Sequence, residues 1–217
     1  MLARNYAGNL VGAAMVLFSV ASARAGQTVA AESETFAVFR GDTQIGTNTI
    51  NIGRNGTDTN VQIVTHVSIA MAFITLYRFD QTENEQWANG RLLTLSATTD
   101  DNGKRHRVSA NNEEGGMIVE GDGQVRKAAC ATLPITLWNP PSLDRYVGLD
   151  PEDGSIVPVS VVDRGEDEVE VSGHAMRAHH YFIKSSYAQD VWYDDKDRLV
   201  KVQMRVTDGS TIRYELI

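Results

Sequence analysis

From Phe36 onward apolar and polar positions alternate along the chain, and a period of two predicts strands rather than helices. The clearest run is Val61, Ile63, Thr65, Val67, Ile69, Met71 and Phe73, with Gln62, His66 and Ser68 among the residues between them. A helix would scatter these seven side chains around its circumference, whereas a pleated strand places them on one face. The pattern therefore predicts a long strand with one buried side.

The same device recurs. Residues 36–40 and 45–52 predict a hairpin around Gly41-Asp42, and Asn55-Gly56 supplies the next turn. Leu93, Leu95 and Ala97 alternate before Asp100-Asp101-Asn102-Gly103, and His106, Val108 and Ala110 continue after it. Near the C-terminus Val200, Val202, Met204 and Val206 lead into Asp208-Gly209, and Ile212, Tyr214 and Leu216 return. Shorter strands are predicted at 117–120, 124–128, 156–162, 168–171 and 177–184. Residues 133–151 break the rhythm and hold four of the five prolines, which reads as a long connection with one short helix at 142–146. Trp87 through Leu95 and Trp192 through Val202 echo each other as tryptophan, polar turn, arginine and apolar strand, the pattern of two similarly built hairpins.

These elements predict an all-β fold: a single, strongly curved antiparallel sheet of about ten to twelve strands forming a β-roll or partly closed barrel. A Pro-rich loop and at most one short helix complete it. The single domain would occupy residues 36–217, behind a flexible lead at 26–35.

The first 25 residues read differently. Arg4 precedes an apolar run that reaches Val20, and Ala23-Arg24-Ala25 forms a small-x-small site, the three parts of a secretory signal peptide cleaved near Ala25. The run is shorter than the ~20 residues of a membrane helix, so a mature chain without a transmembrane segment, periplasmic or secreted, is expected. That chain would carry 18 basic and 28 acidic side chains, a formal charge of −10, a poor match for nucleic acid or anionic headgroups. Cys130 is the only cysteine, so no internal disulfide can form and stability must come from packing.

The pattern at Tyr77, Phe79, Gln81, Glu83, Glu85 and Trp87 carries the most chemistry. On one unbroken strand, two glutamates share a face with three aromatics, where burial raises carboxyl pKa values as an acid-base pair requires. One β-bulge between Phe79 and Glu83 would turn both acids to water, and Arg91, Arg105 or Arg107 could instead hold an inward glutamate as a structural ion pair. Glu83 and Glu85 are thus the candidate catalytic residues. Trp87, Trp138, Trp192 and Tyr193 are candidate ligand-binding residues, as core or pocket-lining aromatics.

Other constellations are weaker. His179 and His180 are adjacent, so on a strand they point to opposite faces, and with His66, His106 and His174 they form no metal-ligand spacing. Asp194, Asp195 and Asp197 lack the glycine and glutamate of a calcium loop. No nucleophile elbow is present, and Cys130 has no histidine nearby in sequence. No metal and no cofactor are expected.

Several short motifs together, Phe36 through Gly46, Tyr77-Arg78, Glu85-x-Trp87-x-x-Gly90-Arg91-Leu92, Asp101-Asn102-Gly103, Trp192-Tyr193-Asp194 and Asp208-Gly209-Ser210, resemble a family of uncharacterised exported bacterial proteins with a domain of unknown function. The resemblance spans most of the chain after residue 35 and implies export and one β domain. The chain is also similar, in its broader look, to periplasmic β-roll and half-barrel proteins that carry lipids or lipoproteins. Together these point to a non-enzymatic exported protein that binds an apolar small molecule or an envelope protein partner. The alternative is a carboxylate-dependent hydrolase or isomerase using Glu83 and Glu85. An outer-membrane barrel is disfavoured by polar outer faces such as Lys201, Gln203 and Arg205.

Overall fold

The computed structural model describes residues 30–72, 74–140 and 147–217. The signal peptide expected at 1–25 and the helix expected at 142–146 lie outside the described residues. Sixteen strands are formed: β1 (Ala30–Arg40), β2 (Thr43–Asn55), β3 (Asp58–Met71), β4 (Ile74–Ala88), β5 (Arg91–Asp101), β6 (Lys104–Glu113), β7 (Gly116–Gly121), β8 (Gln124–Ala128), β9 (Leu133–Pro134), β10 (Val147–Leu149), β11 (Ile156–Pro158), β12 (Ser160–Val171), β13 (His174–Lys184), β14 (Ala188–Tyr193), β15 (Leu199–Arg205) and β16 (Thr211–Leu216). No helix occurs among the described residues. β1 begins at Ala30, and residues 30–35 pair with β2.

Thirteen strands form one antiparallel sheet in the order β12-β13-β14-β15-β16-β1-β2-β3-β4-β5-β6-β7-β8. Every neighbour is a sequence neighbour except β1 and β16, whose pairing brings the two ends of the chain together, Phe36 opposite Leu216. Several hairpins turn on two residues with positive φ, as at Asn89-Gly90 and Asn102-Gly103, the conformation that matches strand twist in a two-residue loop.

This arrangement corrects the expected β-roll or partly closed barrel. Hydrogen bonding runs out at β12 on one side and β8 on the other, and the sheet stays open. Closure is not needed because the edges are blunted otherwise. β12 carries Asp163, Glu166, Asp167, Glu168 and Glu170 and a bulge between Asp163 and Gly165, while β8 is only five residues long and bears Arg126 and Lys127.

The apolar face is covered by the segment that leaves β8. It forms a small sheet, β11-β10-β9, in which β9 and β10 are parallel. Leu149 and Val159 from this cover pack with Phe36, Ile52, Leu92, Leu95, Met117 and Tyr193 in the main core. A second, smaller cluster gathers Val169, Val171, Ala178, Trp192 and Val200. By strand alternation Trp192 lies on the face of β14 opposite to Val191 and Tyr193, which both belong to the main core. Trp87 also packs in the main core, so the tryptophans of the two similar hairpins occupy different environments.

Candidate functional site

Between the middle of the large sheet and its cover lies a cavity of about 660 Å³. Seven contiguous strands, β14 through β4 in sheet order, contribute to its walls, and the cover adds Ile135, Thr136, Leu137 and residues 150–152. The long alternating run of β3 supplies Ile63, Thr65, Val67 and Ile69, and β4 supplies Tyr77, Phe79, Gln81 and Glu83. Ile50 of β2, Val202 and Met204 of β15 and Ile212 of β16 add further aliphatic wall.

β4 pairs with β3 without a shift from Tyr77 through Ala88, and with β5 from Phe79 through Gln86. No bulge lies between Phe79 and Glu83, so both glutamates point inward, Glu83 at 2% and Glu85 at 1% exposure. A second irregularity, between Gln86 and Trp87, still leaves Trp87 buried on the same side.

Glu85 is held by donors. The indole N–H of Trp87 donates to its Oε2 at 2.6 Å and that of Trp138 to the same oxygen at 2.8 Å. Thr136 and Glu83 also hydrogen-bond its carboxyl. Burial raises its pKa, and these four hydrogen bonds oppose the rise. The two indole rings meet edge to face with centroids 5.6 Å apart. None of Arg91, Arg105 and Arg107 forms an ion pair with either glutamate among the described residues: Arg105 reaches Asp100, and Arg91 donates to Asn112.

Glu83 lies beside this group and lines the cavity, whereas Glu85 does not. Burial pushes the Glu83 carboxyl well above the usual carboxylate range, and the charge of Glu85 pushes it further. The two indole N–H donors on Glu85 Oε2 favour the charge on Glu85, and with it the shared proton on Glu83. One oxygen of each, Glu83 Oε1 and Glu85 Oε1, is buried without a donor from any other group.

The remaining candidates divide. Tyr193 sits under the cover, its hydroxyl 3.1 Å from the carbonyl oxygens of both Leu137 and Asn139. Trp87, Trp138 and Tyr193 thus fasten the cover to the sheet. Trp192 stacks on His180 with centroids 4.5 Å apart, in the second cluster, remote from the cavity wall. Neither Trp138 nor Trp192 is among the residues lining the cavity.

Residues that the alternation pattern did not single out shape the cavity mouth. Ser186 donates to Asp150, and the Tyr187 hydroxyl donates to Glu152 at 2.9 Å, which ties the β13–β14 turn to the cover. Arg40 donates to Asp208 and, at 3.1 Å, to Ser210. Tyr214 lies deeper, its pKa raised to about 12 by burial. Thr136 and Trp138, two residues apart, do carry a signal: in an extended segment they share a side.

No group of three or more His, Cys, Asp or Glu side chains capable of holding a metal occurs among the described residues. His66, His106, His179 and His180 each pair with an aspartate. Cys130 is exposed.

No curated protein matches the sequence. Among solved structures, the chain is similar to a protein described as the beta-barrel-like protein of domain of unknown function DUF1849 from Brucella abortus. The TM-score is 0.63 at 10% identity, covering 88% of this chain and 97% of the other, a likeness of fold alone. Residues 36–217 match the family described as Domain of unknown function (DUF6134), and the chain belongs to that family.

Proposed function

We propose that the protein is exported through its N-terminal leader and holds an apolar small molecule, without chemical conversion, in the cavity between sheet and cover. The observation that carries this reading is the wall itself: about 660 Å³ of space whose surface is predominantly apolar, with aliphatic side chains from β1, β2, β3, β15 and β16 interspersed with polar groups. Ligand pockets commonly span roughly 300–1,000 Å³ with this composition. No helix among the described residues is long and apolar enough to cross a membrane.

The carboxylate-dependent hydrolase or isomerase is less well supported. Glu85 does not line the cavity, and its carboxyl is engaged by Trp87, Trp138 and Thr136. Two hydrogen-bonded carboxyls are also closer than the ~5 Å or more at which a pair flanks a glycosidic bond. In this reading Glu85 positions the cover and Glu83 faces the ligand.

The test is a titration with Nile red, an uncharged apolar dye, beside the variant Val67→Phe, which places a larger side chain in the cavity. The expected result is saturable binding by the native protein and loss of binding by a variant whose circular dichroism is unchanged. Equal binding by both proteins would place the dye elsewhere and remove the cavity from the proposal.

A further inference from the structure

We infer that Glu83 is the receptor for the polar end of the ligand, accepting a hydrogen bond from an uncharged donor such as an alcohol hydroxyl or an amide N–H. The inference rests on the cavity-binding reading and adds the ligand's chemistry: an amphiphile with an apolar body and a neutral, hydrogen-bond-donating head.

The geometry around Glu83 carries it. The side chain is almost wholly buried and lines the cavity, and Glu85 is its one side-chain hydrogen-bond partner among the described residues. Its neighbour Glu85 is already supplied by two indoles and a hydroxyl, and takes a further hydrogen bond from Glu83 itself. A Glu83 that donates toward Glu85 is left an acceptor toward the cavity. Buried acceptors without donors are costly, and a ligand hydroxyl supplies the missing one.

Charge decides which heads are refused. Among the described residues lining the cavity, Arg40 is the one cation, and it stands at the mouth bound to Asp208 and Ser210. Against it the wall presents Glu83, Asp150, Glu152 and Asp208. A carboxylate or phosphate head at Glu83 would lie beside the Glu85 charge in an apolar surround with no counter-ion, where repulsion is far stronger than in water. An ammonium head would shed its hydration for a carboxylate whose donors are already in place.

Displacement of Nile red by three ligands of one chain length, 1-decanol, decanoate and decylammonium, tests the inference on the full chain. Decanol is expected to displace the dye at roughly tenfold lower concentration than either ion. Glu83→Leu is expected to lower the affinity for decanol relative to that for Nile red, which has no donor, roughly fivefold to tenfold. Glu83→Gln keeps decanol affinity, because the amide retains an acceptor oxygen and its NH₂ donates to Glu85. Equal displacement by the three ligands, preference for an ion, or full decanol affinity in a folded Glu83→Leu protein would overturn the head-group assignment while leaving cavity binding in place. Failure of the native protein to bind dye or decanol would overturn both. If Glu83→Leu does not fold, the ranking of the three ligands on the native protein decides alone.

Discussion

At the scale of residues, the structure turns on how one carboxylate is satisfied beneath an apolar cover. Trp87 comes from the large sheet, Trp138 from the covering segment, and both indoles donate to one oxygen of Glu85. Removing that acceptor leaves two indole N–H groups, one fully and one partly buried, without a partner. Glu85→Leu should therefore destabilise the fold by roughly 2–4 kcal/mol in urea denaturation, and Glu85→Gln, which keeps an acceptor, by about 1 kcal/mol. Equal losses for the two variants would mean that packing, not the indole bonds, sets the cost. Glu83 makes a prediction in pH. Its proton is held in the folded chain above the value of 4.5 at which an ordinary glutamate releases it. A raised carboxyl pKa gives a stabilisation that is complete below about pH 4.5 and declines as pH rises toward the folded value. Glu83→Gln lacks that decline, so its stability relative to the native protein should improve steadily from pH 4.5 upward. Urea midpoints of the two proteins measured from pH 4.5 to pH 8 check this; parallel curves would contradict it.

At the scale of elements, alternation carried most of the strands. The run from Val61 through Ile69 in β3 and the hairpin of β15 and β16 follow directly from period two, because one face is buried and the other wet. The Asn102-Gly103 turn was legible from residue chemistry, since both positions require positive φ. The inward glutamates of β4 were legible only up to parity, which depended on the absence of a bulge between Phe79 and Glu83. Long-range placement was not legible. Nothing local marks Ser186 as a partner of Asp150, or Trp192 as belonging to a separate cluster, because those contacts join segments far apart in the chain. Openness was missed for a related reason. Pattern identifies strands that need a covered face, but the cover came from residues within 129–140 and 147–159 rather than from the sheet closing on itself. Backbone approach gives an element-level prediction within β2. A Cβ on Gly46 would lie 2.0 Å from the His66 carbonyl oxygen, whereas one on Gly53 meets nothing within 4 Å. Gly46→Ala should cost about 2 kcal/mol or more by forcing β2 from β3, and Gly53→Ala should be close to neutral. Urea midpoints of the two alanine variants provide the comparison, and equal effects would show that the β2–β3 approach is not tight.

At the scale of the whole molecule, an open thirteen-stranded sheet must manage two edges and one covered face. The acidic side chains of β12 keep its edge from recruiting another strand. Replacing the exposed pair Glu168 and Glu170 by threonine should promote self-association, seen as a concentration-dependent rise in sedimentation coefficient; an unchanged sedimentation coefficient would show that the bulge alone suffices. The covered face lines the cavity proposed to take an apolar molecule with a neutral head. Native mass spectrometry of the full chain, purified without detergent and then incubated with 1-decanol, tests that binding most directly, run beside Val67→Phe. A one-to-one adduct on the native protein, absent from the variant, is the predicted result. A clean apo mass for the native protein, before and after incubation, would contradict it.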